Sequence, residues 1–333
     1  MKQNIKRLYA TRRFSRYMRR LGILICLFST VVLPAQDSVR QKLFYAYQLE
    51  QTGRFSQAIA VAKPLMNSSD LSIPDRSRGW ILIAMAYQQE GRFEEAHRAY
   101  DQSLLLLKNQ PQYLRDYAVA LSAFATLYQD MGRSDESIHL ENQVVSIYKQ
   151  TNDHRGIAIA FERIAELALA QGDKREGRKN LTEAIREAAL ADDLDDDFHA
   201  STSATQAWLA ELDGNPAEAI LGYQHALDLW TAIYGNEHPT VGWAFMLLGK
   251  AYLKAGDTSN ALNEMQKGLA ILERSSGRNS IKYLTADLAY ARTLDAAGKH
   301  DQADQIMASA GEKLNALYQN QCIRCQVSAA ALH

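Results

Sequence analysis

Seven glycines recur along this chain at nearly equal spacing, and this regularity limits the possible folds more than any other feature. They are Gly53, Gly91, Gly132, Gly172, Gly214, Gly256 and Gly298, at intervals of 38, 41, 40, 42, 42 and 42 residues. Each lies between two helix-like runs. A fixed period of this length indicates a solenoid, in which each unit buries its apolar face only by stacking on its neighbours. The sequence therefore predicts seven stacked helical hairpins.

Small residues recur in step with the glycines. Seven residues before each glycine lies a residue no larger than alanine, which lets two helices cross closely: Ala46, Ala84, Ala125, Ala165, Ala207, Gly249 and Ala291. Five residues after each glycine lies a second small residue: Ala58, Ala96, Ser137, Gly177, Ala219, Ala261 and Ala303. The glycine itself ends the first helix, since it takes the left-handed conformation without steric cost.

This pattern resembles the tetratricopeptide repeat, in the longer form found in kinesin light chains and related bacterial proteins. The stretch Tyr234-Gly-Asn-Glu-His-Pro239 matches the Gly-x-x-His-Pro linker of that form. The resemblance covers about residues 39–317. It implies an all-α fold, a right-handed α-solenoid of about seven helix-turn-helix units.

The N-terminal 35 residues have the pattern of a bacterial export signal. Eight Lys and Arg precede a 13-residue apolar run, Leu21 to Leu33, which is shorter than a bilayer-spanning helix. We expect residues 1–35 to be a signal peptide, which predicts a periplasmic or secreted protein. The alternative is an uncleaved anchor that holds the protein to the inner membrane through residues 21–33. The remaining chain has 29 basic and 38 acidic residues, which disfavours nucleic acid as a partner.

The resemblance also implies a binding surface. In this family the first helix of each unit lines the inner groove, with the residues three before and one after the first small position pointing into it. Leu43, Ile81, Met85 and Leu288 stand at such positions, but apolar residues like these also fit the core between helices. The remaining candidates for partner binding change from aromatic to acidic, aromatic and basic along the chain: Tyr47, Glu162, Glu166, Trp208, Lys250 and Arg292.

No combination of residues in the sequence suggests catalysis. The run Asp192–Asp197 lacks the Gly and the closing Glu of a calcium loop, so helix capping in a solvated linker is the better interpretation. The tail, residues 318–333, contains Cys322 and Cys325, for which we predict a local disulfide; a thiol-redox pair is the alternative. His238 precedes Pro239 in a linker, which favours packing or capping.

Taken together, these features predict a non-enzymatic scaffold of the cell envelope that holds a protein or peptide in its inner groove, without cofactor or metal. A role in assembling envelope complexes, or a redox role through Cys322 and Cys325, are the alternatives.

Overall fold

The computed structural model describes residues 35–192 and 194–321, and this part of the chain consists of fourteen α-helices without a strand. Short 3-10 turns at Lys63–Asn67 and Pro111–Tyr113 interrupt the connections. The helices are α1 Ala35–Gln51, α2 Phe55–Ala62, α3 Ile73–Gln89, α4 Phe93–Leu107, α5 Leu114–Asp130, α6 Ser134–Gln150, α7 His154–Ala170, α8 Lys174–Ala188, α9 Asp196–Leu212, α10 Pro216–Tyr234, α11 Pro239–Lys254, α12 Thr258–Ser276, α13 Ile281–Ala296 and α14 His300–Gln321.

Successive helices pair into seven hairpins, and a glycine closes the first helix of each. All seven repeat glycines have positive φ, between 73° and 82°. At Gly256, for example, the N–H of the next residue, Asp257, donates to the carbonyl of Tyr252. The Asp257 carboxylate then accepts from the Asn260 N–H at 3.0 Å and so begins the next helix. Turn and cap together fix where this hairpin folds back.

The small residues lie where the two helices of a unit cross. Every member of both series that the sequence singled out is buried. At Gly249, an added Cβ would lie 2.5 Å from the Met265 Cγ and 3.0 Å from the Ala261 carbonyl oxygen, so no larger residue fits without a shift. This close crossing confirms the predicted packing of the hairpins.

Neighbouring units stack because the second helix of one unit packs against the first helix of the next in most pairs. We call α1, α3, α5, α7, α9, α11 and α13 the inner helices and the others the outer helices. The final helix is the longest of the fourteen described, and Ala303, Ala310 and Leu314 on one face of it are buried. The predicted all-α solenoid of seven helical pairs is confirmed. None of the described helices is both long and apolar enough to cross a membrane.

The superhelix brings its first unit close to its sixth. A Cβ on Gly53, in the first hairpin turn, would collide with the carbonyl oxygen of Ser275 at the end of α12. Beside this approach lies a cavity of about 790 Å3, lined by residues 50–53 of the first unit and by His238, Arg274 and Lys282. Residues far apart in the sequence therefore meet at one cavity.

Candidate functional site

The inner helices of units three to seven line a cavity of about 400 Å3, which we call the inner cavity. Helices α5, α7, α9, α11 and α13 all contribute, and Tyr223 of the outer helix α10 reaches into it. Four of the residues expected to bind a partner meet here. The full lining is Gln129, Glu166, Ala170, Ala204, Thr205, Trp208, Tyr223, Trp243, Met246, Leu247, Lys250, Thr285, Ala286, Ala289 and Arg292.

Two tryptophans and a methionine give the inner cavity its apolar walls. Trp208 of α9 is half-buried, and packs against the core of units five and six on one side. Trp243 and Met246 of α11 pack in the adjoining core between units six and seven. Because each side chain is held by the core behind it, the cavity is fixed before any ligand arrives, which lowers the entropy cost of binding.

Lys250 is held by a buried carboxylate. Its Nζ lies 3.2 Å from Glu211 Oε1 and 6.0 Å from the centre of the Trp208 ring, and the Glu211 side chain is 3% exposed. Burial raises the pKa of the Tyr223 hydroxyl well above its usual range, and the Glu211 charge adds to this effect. Reversing the charge of Lys250 would set two carboxylates against each other in a buried place. Lys250 is therefore part of the cavity's own structure as well as of its lining.

The two predicted acidic residues have different surroundings. Glu162 is buried between α7 and α9, where its Oε1 accepts from the hydroxyls of Ser201 at 2.9 Å and Thr205 at 2.8 Å. Glu166, one turn later, is half-buried and lines the inner cavity. Burial raises the pKa of Glu166 well above its usual range, and the charge of Glu162 raises it further, while Arg163 acts in the opposite direction.

The raised pKa of Glu166 predicts that the stability of the protein depends on pH. The folded protein binds the Glu166 proton more tightly than the unfolded chain, so its contribution is present at pH 4.5 and is lost as pH rises through the folded pKa. We expect Glu166→Gln to raise the melting temperature at pH 8 but hardly at pH 4.5. Thermal melts followed by circular dichroism at both pH values measure this.

The exposed Glu312 of α14 provides the matched control, since Glu312→Gln removes a carboxylate in water. Equal pH responses of the two variants would contradict the assigned environment of Glu166.

A second concavity, the N-terminal recess, lies on the inner helices α1, α3 and α5. It measures about 480 Å3 and includes Tyr47, which is 51% exposed, and Phe44, which is 62% exposed. Ion pairs cross its rim between successive units, from Arg40 to Asp75 at 3.2 Å and from Arg78 to Asp116 at 2.9 Å. Tyr47 is thus separated from the other predicted residues but lies on the same inner surface.

Trp243 and Val119 were not among the predicted binding residues, although Trp243 lines the inner cavity and Val119 lines the N-terminal recess. Both stand six residues before the first small position of their unit. Arg40, Arg78 and Thr285 occupy the same position in other units and also line the inner surface. The residues six before, three before and one after the first small residue of a unit share one helical face. Extending the predicted binding face by one helical turn therefore includes Trp243 and Val119. The position three before is often buried between inner helices, as in Glu162 and Leu288.

The remaining polar candidates have structural roles or lie outside the described residues. His238 caps α11 by accepting from the Thr240 N–H at 3.2 Å, and its ring stacks on Tyr234. Asp195 caps α9 by accepting from the Phe198 N–H at 3.2 Å. Residues 35–192 and 194–321 contain no cluster of three His, Cys, Asp or Glu suited to a metal. The proposed signal, apart from Ala35, and both Cys322 and Cys325 lie outside the described range.

Comparison with known families identifies the repeat. The family model described as tetratricopeptide repeat matches residues 75–150 and 209–274, which hold units two, three, five and six in whole or in part. This chain contains tetratricopeptide repeats. The prediction made from the spacing of glycines and alanines is thereby confirmed. No curated protein matches this repeat protein.

Several solved structures share its architecture. NprR in complex with its cognate peptide NprX matches with a TM-score of 0.65 at 15% identity, covering 99% of this repeat protein and 91% of that chain. A Rap protein complexed with competence and sporulation factor matches with a TM-score of 0.53 at 15% identity, covering 86% and 95%. A putative kinesin light chain from Podosopora anserina matches at 20% identity with a TM-score of 0.42, covering 64% and 99%. At 15% identity, the likeness to NprR and to the Rap protein concerns the fold.

Proposed function

We propose that this repeat protein is a non-enzymatic scaffold that holds a peptide, or an extended segment of a partner protein, along its inner surface. The observation that carries the proposal is the convergence of Glu166, Trp208, Lys250 and Arg292 on one cavity of about 400 Å3. Aromatic and Arg side chains around a concave site are the usual anchors of a bound peptide. Pockets of this volume commonly bind small ligands or single side chains.

The inner surface offers different chemistry along its length. The N-terminal recess is lined largely by apolar side chains, including Leu43, Phe44 and Met85. The inner cavity adds an acid, a lysine and an arginine to its aromatic walls. A complementary peptide has an apolar segment followed by charged residues. Two proteins with the same fold support this class of ligand, since NprR was solved with its cognate peptide NprX and a Rap protein with competence and sporulation factor.

The envelope is the proposed location, because the N-terminal segment has the composition of an export signal. A scaffold of this kind would bind its partner after export. Fractionation of cells that produce a tagged full-length chain tests this location.

Photo-cross-linking tests the proposed binding surface. We expect benzoylphenylalanine in place of Trp243, in the inner cavity, to capture one specific protein or peptide from an envelope extract. The same probe in place of Leu105, which is 62% exposed on the outer helix α4, is the matched control. Capture from the outer position alone, or no specific capture from the inner one, would contradict the proposal.

A further inference from the structure

Glu166 differs from the carboxylates around it because no ion pair involves it in the described part of the chain, where the hydroxyl of Thr205 is its polar partner. Glu211 lies 3.2 Å from Lys250, and Glu141 lies 3.6 Å from Arg163. Glu162 accepts from two hydroxyls. Glu166 is also the one carboxylate in the cavity lining. A ligand that enters the cavity therefore meets this carboxyl group directly.

Aromatic rings stand around the same space. Trp208 and Trp243 both line the inner cavity, and a cation near a tryptophan face is attracted by the ring's electrons. Trp208 already has one ammonium near its ring, that of Lys250 at 6.0 Å. A carboxylate combined with tryptophan faces is suited to a ligand ammonium whose apolar stem lies against the rings.

Two of the protein's own cations in this region contact other carboxylates: Arg163 lies 3.6 Å from Glu141, and Lys250 lies 3.2 Å from Glu211. Its own helix provides Glu162 and Arg163, and of these only Arg163 favours the charged form of Glu166. The groups that face the cavity from other elements are Tyr223 of α10, Lys250 of α11 and Arg292 of α13. Lys250 is bound to Glu211, and Arg292 lies on α13 of the seventh unit.

We infer that the inner cavity binds a primary ammonium group on an apolar stem, with the ammonium on Glu166 and the stem against Trp208 and Trp243. This inference rests on the proposed function, since in a peptide the group is a lysine side chain or a free N-terminus. Glu166 carries its proton more tightly than an exposed glutamate, because burial and Glu162 oppose its charge. Because an ammonium on Glu166 favours the charged form of the carboxyl group, its binding is expected to lower the pKa of Glu166.

Calorimetry with two probes of similar shape tests the inference. Hexylammonium is expected to bind the full-length protein about tenfold or more tightly than 1-hexanol, because hydrogen bonds to charged groups contribute more than neutral ones. Glu166→Gln is expected to remove this preference, while the exposed control Glu312→Gln keeps it.

Two further probes separate the sources of the ammonium. Nα-acetyl-lysine N-methylamide carries it on the side chain, and leucine N-methylamide carries it at the α position, so preferential binding of either supports the inference and identifies the source. Equal binding of hexylammonium and 1-hexanol, or an unchanged preference in Glu166→Gln, would overturn it. If Trp243 cross-links still captured a partner in that case, the proposed function would stand and only the ammonium site would fall.

Discussion

Replacing Gly268 by valine is expected to destabilise the sixth unit by about 3 kcal/mol or more, the upper range for overpacking a well-packed core. An added Cβ at Gly268 would lie 2.6 Å from the carbonyl oxygen of Gly242 and 2.9 Å from the Met246 sulfur. The first neighbour is backbone, so α11 and α12 must separate to make room. Since α11 carries Trp243, Met246 and Lys250, the inner cavity is expected to be distorted as well.

Gly311 provides the matched control for this prediction. It also lies within a helix, but nothing lies within 4 Å of an added Cβ. Gly311→Ala should therefore stabilise α14 by about 0.5–1 kcal/mol, the usual effect of removing a helical glycine. Thermal and urea melts followed at 222 nm compare the two variants. A Gly268→Val protein that melts with the wild type would contradict the close crossing of α11 and α12.

The repeat was readable from the sequence because its determinants are local. A glycine such as Gly256 ends a helix through its own backbone conformation, and Asp257 begins the next through its own carboxylate. The spacing of Ala207 from the turn at Gly214, and of Gly249 from the turn at Gly256, follows from helical geometry alone. The glycine and the small residues repeat once per unit, so seven copies reinforce one interpretation.

The inner cavity was predictable only in part, because its details depend on contacts between units. Glu162 and Glu166 stand one turn apart, yet Ser201 and Thr205 of the neighbouring inner helix bury the first and leave the second facing the cavity. The pairing of Lys250 with Glu211 likewise joins two units. These partners are set by the angle at which inner helices meet, which no single unit's sequence specifies.

The contact between the first and sixth units is even less predictable from the sequence. Gly53 was interpretable as a hairpin turn, but its contact with Ser275 depends on the curvature added by every unit between them. Small rotations at each interface accumulate along a solenoid. The contact between Gly53 and Ser275 is thus a property of the whole superhelix.

Trp208 is the residue whose loss we expect to weaken partner binding most. It lines the inner cavity beside Lys250 and Ala204, and truncation of a central tryptophan in a binding site typically costs about 2–4 kcal/mol. Trp208 also packs on the core behind it, so part of the effect of Trp208→Ala could fall on stability. A control must therefore lose similar packing without touching the cavity.

Trp230 meets this requirement. It is half-buried on the outer helix α10, packs against the same core cluster as Trp208, and donates from its indole N–H to Asp197 at 3.1 Å, but it is absent from the cavity lining. Trp230→Ala should lower the free energy of unfolding without lowering the affinity for the partner. Both variants are compared at a temperature where circular dichroism shows each to be fully helical.

The most direct measurement is the dissociation constant of the partner that the cross-linker in place of Trp243 captures. It is determined by calorimetry for the wild type, Trp208→Ala and Trp230→Ala. Binding along the inner surface predicts a loss of about 30-fold or more for Trp208→Ala and a wild-type constant for Trp230→Ala. Unchanged affinity in folded Trp208→Ala, or an equal loss of affinity in both variants, would contradict binding along the inner surface.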